Sequence, residues 1–310
     1  MKALVTGGAG FIGSHLVDLL LAEGHEVAIV DNLATGKRGN LAADAKFYEV
    51  DIRNQNLTQV FAEVRPEVVF HQAAQMSVKV STENPLYDAE VNVVGLINVL
   101  NSCVTNGVRK VVFASSGATY GNPEYLPINE AHPQRPASPY GITKMVAEHY
   151  LRFYALDHNL AFTALRYGNV YGPRQDPFGE GGVIAIFTRQ LLDGKAPTIH
   201  WDGEQIRDYV YATDIAAANL RAATAGDGQC YSIATGAGTT VNVLYRQLCD
   251  ALGLWIEPQR SGRRPGDLRT AIFDCSRAQA ELGWHAQVSL AEGIARTVAY
   301  FKEENAVLGR

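Results

Sequence analysis

Short, unbroken apolar runs alternate with longer amphipathic stretches through the first half of the chain. Residues 3–5, 27–30, 46–50, 67–70, 110–115 and 161–166 have the length and apolar content of strands buried on both faces. Between the first two runs, Phe11, Ile12, Leu16, Leu19 and Leu20 repeat at the spacing of one helix face, and Gly24 stands where a left-handed cap would end that helix. Residues 84–106 read as one long helix, with Pro85 near its start and Gly107 just past its end. Another helix runs from Pro139 to about Asp157. Strands alternating with helices argue for an α/β chain built on a doubly wound parallel sheet. Beyond Asn169 the texture changes: residues 171–182 are rich in Gly and Pro, and the later elements are shorter. We therefore expect residues 1–168 to form the sheet domain, with segments at about 208–235 returning to it. Residues 169–207 and 236–310 are expected to form a smaller C-terminal α/β lobe that binds substrate.

The stretch 2–31 carries the first chemical signal. Gly7, Gly10 and Gly13 stand in G-x-x-G-x-x-G between the first strand and the first helix. Glycines at a strand-to-helix turn let the backbone bend tightly and approach a pyrophosphate, whose charge rests on the helix N-terminus. Asp31 ends the second strand, where an acid can hydrogen-bond the adenosine ribose hydroxyls and would repel a 2′-phosphate. The expected cofactor is NAD rather than NADP. Strand, glycines, helix and acidic strand end occur in the order of a Rossmann-type dinucleotide unit. The polar loop that starts at Asn32 is suited to wrap the adenosine. Asp51-Ile52 reads either as a contact to the adenine amine and ring face or as ordinary loop chemistry. Ala73 and Ala74, followed by Gln75, permit close approach of the cofactor in the crevice beyond the strand ends.

Composition narrows the partners. The net charge of −5, from 27 basic and 32 acidic residues, gives no bulk electrostatic footprint for nucleic acid. Basic residues cluster at 260–269, which suits a small anionic ligand. Cys103, Cys230, Cys249 and Cys275 lie far apart with no C-x-x-C pair, as expected of reduced thiols, and the eight histidines show no metal-ligand spacing. We expect no metal. No apolar run approaches a membrane span, and Met1 leads straight into the first strand with no room for a signal peptide, so the expected location is cytoplasmic, without a membrane partner. The Asn56-Leu57-Thr58 sequon is read as accidental.

Tyr140 and Lys144 stand four apart on an expected helix, on one face. A free tyrosine, with a pKa of about 10, is a poor base at neutral pH. A neighbouring ammonium, together with the charge of an oxidised nicotinamide, would favour the phenolate. Ser116, at the C-terminal end of the fifth strand, is placed to hydrogen-bond a substrate hydroxyl beside Tyr140. The three make a proton-transfer set beside a hydride acceptor.

These motifs, taken together, resemble the extended short-chain dehydrogenase/reductase family, and within it the NAD-dependent nucleotide-sugar epimerases, most closely the UDP-glucose 4-epimerase group. The resemblance runs nearly end to end: GGAGFIG at 7–13, VDN at 30–32, DI at 51–52, HQAAQ at 71–75, SSGATYG at 115–121 and YGITK at 140–144. It continues through RYGNVYGPRQ at 166–175, GEGGVIAIF at 179–187, DGEQIRDYVY at 202–211 and RPGD at 264–267. It implies that Tyr140 is the catalytic acid/base, Lys144 its electrostatic partner and ligand of the nicotinamide ribose, and Ser116 a hydroxyl relay. It also implies that Asn169 holds the substrate near its sugar and phosphates, that Arg207 and Arg264 grip the UDP diphosphate, and that Asp267 binds its ribose. Guanidinium forks suit a diphosphate on chemical grounds alone. The implied reaction is interconversion of UDP-glucose and UDP-galactose through a 4-keto sugar. The two long helices resemble those that form four-helix contacts in the family, so a homodimer is expected.

Departures from the family pattern sharpen this. Sugar 4,6-dehydratases carry Asp-Glu after the strand-end hydroxyl; here Gly117 and Ala118 stand there, leaving no acid to protonate a leaving hydroxyl. Ala271 replaces a bulky residue that restricts the sugar pocket, so acceptance of an N-acetylated sugar is a further expectation. Trp201 in place of a glycine, and Gly168 in place of a bulkier residue, are expected to reshape that pocket. A 4-epimerase of UDP-glucuronate or of another nucleotide sugar, and a non-catalytic NAD-binding protein, remain as alternatives.

Overall fold

The first apolar run forms β1 (Lys2–Thr6), followed by α1 (Phe11–Ala22) and β2 (Glu26–Asp31), in the computed structural model, which describes residues 1–178, 182–264 and 267–307. Then β3 (Lys46–Glu49), α2 (Leu57–Val64), β4 (Val68–His71), α3 (Val78–Glu83) and α4 (Pro85–Ala89) lead through a π-helical turn (Glu90–Val94) into α5 (Gly95–Thr105). β5 (Lys110–Ser116), α6 (Pro139–His158) and β6 (Ala161–Tyr167) complete the first half. The rest comprises β7 (Asn169–Tyr171), α7 (Val183–Leu192), β8 (Thr198–His200), β9 (Ile206–Tyr211), α8 (Ala212–Ala222), β10 (Gln229–Ile233), β11 (Gly238–Thr240), α9 (Val241–Leu252), β12 (Gln259–Ser261), α10 (Ser276–Leu282) and α11 (Leu290–Val307).

Seven strands pair in parallel in the order β10-β6-β5-β4-β1-β2-β3, the doubly wound sheet that the alternation predicts. The order reverses between β1 and β4, which opens a crevice beyond their carboxyl ends. Why the runs are apolar throughout is visible in their two faces. Ala3, Val5, Val27, Ile29, Val68 and Phe70 pack into one core with Leu16 and Leu20 of α1 and Ile215 of α8. Leu4, Val30, Val69, Val111 and Phe113 face the other core, with Phe61 of α2, Leu96 and Leu100 of α5 and Leu151 of α6. Each fully buried apolar side chain contributes about 1.5–3 kcal/mol.

A second body, the three-stranded sheet β11-β9-β7, carries α7, α9 and α11 on its own core of Tyr171, Phe187, Tyr209, Leu244, Tyr245 and Val298. The two bodies are stitched at α1, where His15 Nε2 lies 2.9 Å from the Pro173 carbonyl and Arg174 pairs with Asp18 at 2.7 Å. Of the returning segments, β10 joins the edge of the main sheet and α8 covers it, whereas β9 stays in the small sheet. Ala278 and Leu282 of α10 and the following Trp284 also pack on the main core, the Trp284 indole donating to the Asp214 carbonyl at 2.8 Å. So residues 276–284 belong physically with the first domain, not the lobe.

The long helix expected over 84–106 is interrupted. Asn84 caps α4 by accepting from the Tyr87 N–H, and the π-helical turn then rotates Asn92 inward. Among the described residues, no helix is long and apolar enough to cross a membrane.

Candidate active site

Two turns bring the proton-transfer set together. At the end of β5, Ser116 caps a short 3-10 turn (Gly117–Thr119) by accepting from the Ala118 N–H at 3.1 Å. At the start of α6, Ser138 accepts from the Gly141 N–H at 3.2 Å, and Pro139 occupies the first helical position. A Cβ at position 141 would stand 2.6 Å from the Ala118 carbonyl oxygen, so only glycine lets the helix lie this close to the turn. The approach places the Tyr140 phenol against Ser116.

Protein packed around the Tyr140 phenol pushes it up to about 12, and the bond to Ser116 draws it only part of the way back. Burial is the largest cause, and the Asp88 carboxylate pushes the same way. Lys144 is 4% exposed; its ammonium donates to the Ala114 carbonyl at 2.8 Å and lies 4.9 Å from the centre of the Phe113 ring. Burial pushes it down to about 8, against the pull of Asp88.

Asp88 was not singled out from sequence. It is fully buried, with one oxygen accepting from Gln75 Nε2 at 2.7 Å and Asn92 Nδ2 at 3.0 Å, the other from Thr143 Oγ1 at 2.9 Å. The available signal was a carboxylate and an amide four apart on a helix face otherwise given to packing. Behind Ser115 lies a second missed set: Glu148, 3% exposed, takes a two-pronged ion pair from Arg166 (2.9 and 2.6 Å), a bond from Ser115 at 2.6 Å and one from Gln134 at 3.1 Å. Burial pushes Glu148 up, and Arg166 with these bonds outweighs it, holding the carboxyl below its usual range. Tyr140, Lys144 and Glu148 thus form one stripe along α6.

Along the crevice, the residues expected at NAD form a cradle. Gly7 (φ +72°) lies so close to the next strand end that a Cβ would meet the Ala73 nitrogen at 2.6 Å. Gly10 caps α1 without a side-chain bond, and no acid stands in the first turn of Phe11, Ile12 and Gly13, so that helix end is free to receive an anion. Asp31 is raised by burial, while bonds from the Leu33 (2.8 Å) and Ala9 (3.0 Å) amides pull the other way. Asn32 reaches Asp51 at 2.8 Å, and Arg53, bound to both Asp51 oxygens, holds that carboxyl down to about 2. Ile52 is buried beside them. Gln75 ties its own loop to Asp88 and to Ser77, and Ala74 precedes it at the same rim. A carboxylate at the second strand end, a bare helix N-terminus and close-packed glycine and alanine backbone fit a dinucleotide.

At the lobe, Asn169 pairs in register with Tyr209, two residues beyond Arg207 on β9. Asp267 lies between two guanidiniums, 4.0 Å from Arg207 and 3.2 Å from Arg264. Arg207, Arg264 and Asp267 are thereby brought into one cluster of charges, with Asn169 on the neighbouring strand. Gly179, Glu180, Gly181, Pro265 and Gly266 of the quoted motifs lie outside the described residues.

The three positions that depart from the family pattern have defined neighbours. A Cβ at Gly168 would meet Ala234 at 2.9 Å and the Asp208 carbonyl oxygen at 3.2 Å, so this glycine serves packing and opens no space. Ala271 is buried in an apolar cluster with Tyr120, Ile128, Ala234 and Phe273. Trp201 stacks with Arg263 and Arg269, which flank Arg264 and Asp267 in sequence. The space beside Gly117 is filled by the Phe273 ring, 2.5 Å from where a Cβ would sit.

A profile of the NAD dependent epimerase/dehydratase family matches residues 3–234. The UDP-glucose 4-epimerase of Mycolicibacterium smegmatis is 46% identical over 312 residues, spanning 98% of this chain and 100% of its own. The crystal structure of UDP-glucose 4-epimerase from Thermotoga maritima with UDP-glucose superposes with a TM-score of 0.96 at 47% identity, covering 98% of this chain and 99% of that one. The Thermus thermophilus UDP-glucose 4-epimerase in complex with NAD gives 0.94 at 46% identity, covering 97% and 99%.

Proposed function

The chain belongs to the NAD dependent epimerase/dehydratase family, and from that premise we propose that it interconverts UDP-glucose and UDP-galactose. The observation that carries this is the Ser116–Tyr140–Lys144 set at the carboxyl ends of the parallel sheet, in a chain similar along its whole length to UDP-glucose 4-epimerases. Membership brings NAD as the cofactor. The backbone of Gly7, Gly10, Phe11, Ile12 and Gly13 would hold its pyrophosphate, and Asp31 and Asn32 its adenosine ribose. Asp51 and Ile52 would meet the adenine, Ala73, Ala74 and Gln75 the rim, and Tyr140 and Lys144 the nicotinamide ribose. When bound, it supplies a reversible hydride acceptor for the sugar C4.

The protein's own work is proton transfer and grip. Tyr140 takes the proton of the sugar 4-hydroxyl, directly or through Ser116, and gives it back to the C4 oxygen once the sugar has turned. Lys144, fixed by the Ala114 carbonyl, holds positive charge beside the phenol. Asn169, Arg207, Arg264 and Asp267 hold the nucleotide while the sugar turns. With Gly117 and Ala118 there is no acid to expel a hydroxyl, so the chemistry ends at epimerisation. In this reading the sheet domain (1–168, with the returning segments) holds the cofactor, and the lobe holds the nucleotide sugar.

A cytoplasmic homodimer completes the proposal. Ile142, Phe153 and Leu156 are exposed at helical spacing along α6, and Leu86 and Val94 are exposed near the π-helical turn. Light scattering on size-exclusion peaks at low protein concentration tests this; a monomer would refute it. Proton NMR of the NAD-supplied protein with UDP-glucose, UDP-N-acetylglucosamine and UDP-glucuronate in separate tubes tests the reaction. The galactose anomeric signal should grow in the first tube. Silence in all three with NAD bound would overturn the assignment.

A further inference from the structure

Trp201 stands at φ +58°, in the left-handed region that a bulky side chain rarely adopts. It is not a core residue whose burial would account for that conformation. Its contacts go to one place. The Trp201 N–H donates to the Ser261 carbonyl at 2.8 Å, at the end of the β8–β12 pair. The guanidinium carbons of Arg263 and Arg269 lie 4.6 and 4.9 Å from the indole centre. Arg269 is held further by both oxygens of Asp202 at 2.8 and 2.7 Å, and Arg263 donates to the Asp267 carbonyl at 2.9 Å. These two arginines flank Arg264 and Asp267 in sequence, so one indole anchors the chain on either side of the diphosphate cluster.

We propose that Trp201 is a positioning residue that preorganises Arg264 and Asp267 for the nucleoside diphosphate, setting affinity for the nucleotide and not the rate at the sugar C4. The proposal rests on the UDP-sugar reading above. A flat aromatic face under two guanidiniums restricts side chains that solvent would otherwise leave mobile, and preorganised donors bind more tightly.

The test is calorimetric titration of the NAD-loaded enzyme with UDP, alongside steady-state kinetics with UDP-glucose. In Trp201→Gly, UDP affinity should fall about 5–30-fold, the loss of two guanidinium–indole contacts. KM should rise in parallel, with kcat changed less than about twofold. Glycine suits the backbone at this position, so the melting temperature should not drop. Trp201→Phe, which keeps an aromatic face, should retain UDP affinity within about threefold. Arg263→Gln should weaken UDP binding in the parent and add nothing in Trp201→Gly. UDP affinity in Trp201→Gly within about twofold of the parent would overturn the proposal. So would a Phe variant as weak as the Gly variant, or a full additional loss from Arg263→Gln. A parent that binds NAD but not UDP would overturn the functional reading itself, and this proposal with it.

Discussion

Glu148→Gln isolates the buried ion pair behind the proton-transfer set. Glu148 and Arg166 are 3% and 4% exposed, and the guanidinium meets the carboxylate through two bonds, at 2.9 and 2.6 Å. Glutamine keeps the shape and removes the charge, leaving Arg166 buried beside a neutral partner. Breaking such a pair from one side costs about 3–5 kcal/mol. With an unfolding entropy of about 2.1 cal/mol/K per residue, each kcal/mol is worth about 1.5 °C in a 310-residue chain. The melting temperature should therefore fall by about 5–8 °C at neutral pH. The pH dependence carries a sign. Glu148 ionises below its usual range when folded, so its contribution is fully present above about pH 4.3 and is lost as pH falls through the lower folded-state value. The gap between parent and variant should narrow as pH falls below about 4.3. Replacing both partners, Glu148→Leu with Arg166→Met, should cost less than Glu148→Gln alone, since no buried charge is left unpaired. The assay is calorimetric or denaturant unfolding at fixed NAD, because bound cofactor shifts apparent stability. A neutral-pH loss below about 1 kcal/mol, the worth of an exposed pair, would refute the reasoning. So would a loss of undiminished size at about pH 4.

Tyr140→Phe should lower kcat by about 10²–10⁴-fold while NAD still binds; a variant within about tenfold of the parent would remove Tyr140 from the chemistry. Burial holds Lys144 down to about 8 against an ordinary 10.5, so between those values the unfolded chain carries more protons than the folded one. Its contribution to cofactor-free stability must then rise with pH across that window, and Lys144→Met should remove that part of the slope in unfolding curves. Parent and variant curves that run parallel there would count against a buried cation. Gly117→Ala should cost about 1–3 kcal/mol by driving a methyl into Phe273, and Phe273→Leu in the same chain should recover part of it, as read in a double-mutant cycle.

The first half of the fold was legible because a strand buried on both faces leaves a continuous apolar run, and the runs at 27–30 and 161–166 coincide with β2 and β6 to within a residue or so. α2 and α3 were not anticipated: both are short, and α3 (VKVSTE) has one buried residue, so its periodicity is faint. The break at Glu90–Val94 was invisible because the apolar pattern continues through it; what turns the helix is Asn92 bonding to a loop far away in sequence. Tyr140, Lys144 and Ser116 were findable because helix spacing and a strand end fix their neighbours. Asp88 and the Glu148–Arg166 pair were not, since their partners lie on elements whose packing no local spacing reveals. The upward push on Tyr140 in the cofactor-free chain is hidden from the sequence for a related reason: desolvation depends on everything packed around a group.

The ring of Phe273 against Gly117 also bears on what descendants of this chain can become. A family member that removes water from its sugar needs an acid after the strand-end hydroxyl, yet any side chain at position 117 strikes that ring. Shrinking Phe273 first opens a hole among Tyr120, Ile128, Ala234 and Ala271, at a cost of about 3–5 kcal/mol for alanine. Either order of mutation passes through a weakened protein. The two positions are therefore coupled, and a change at one is tolerated only with a matching change at the other or a stabilising change elsewhere.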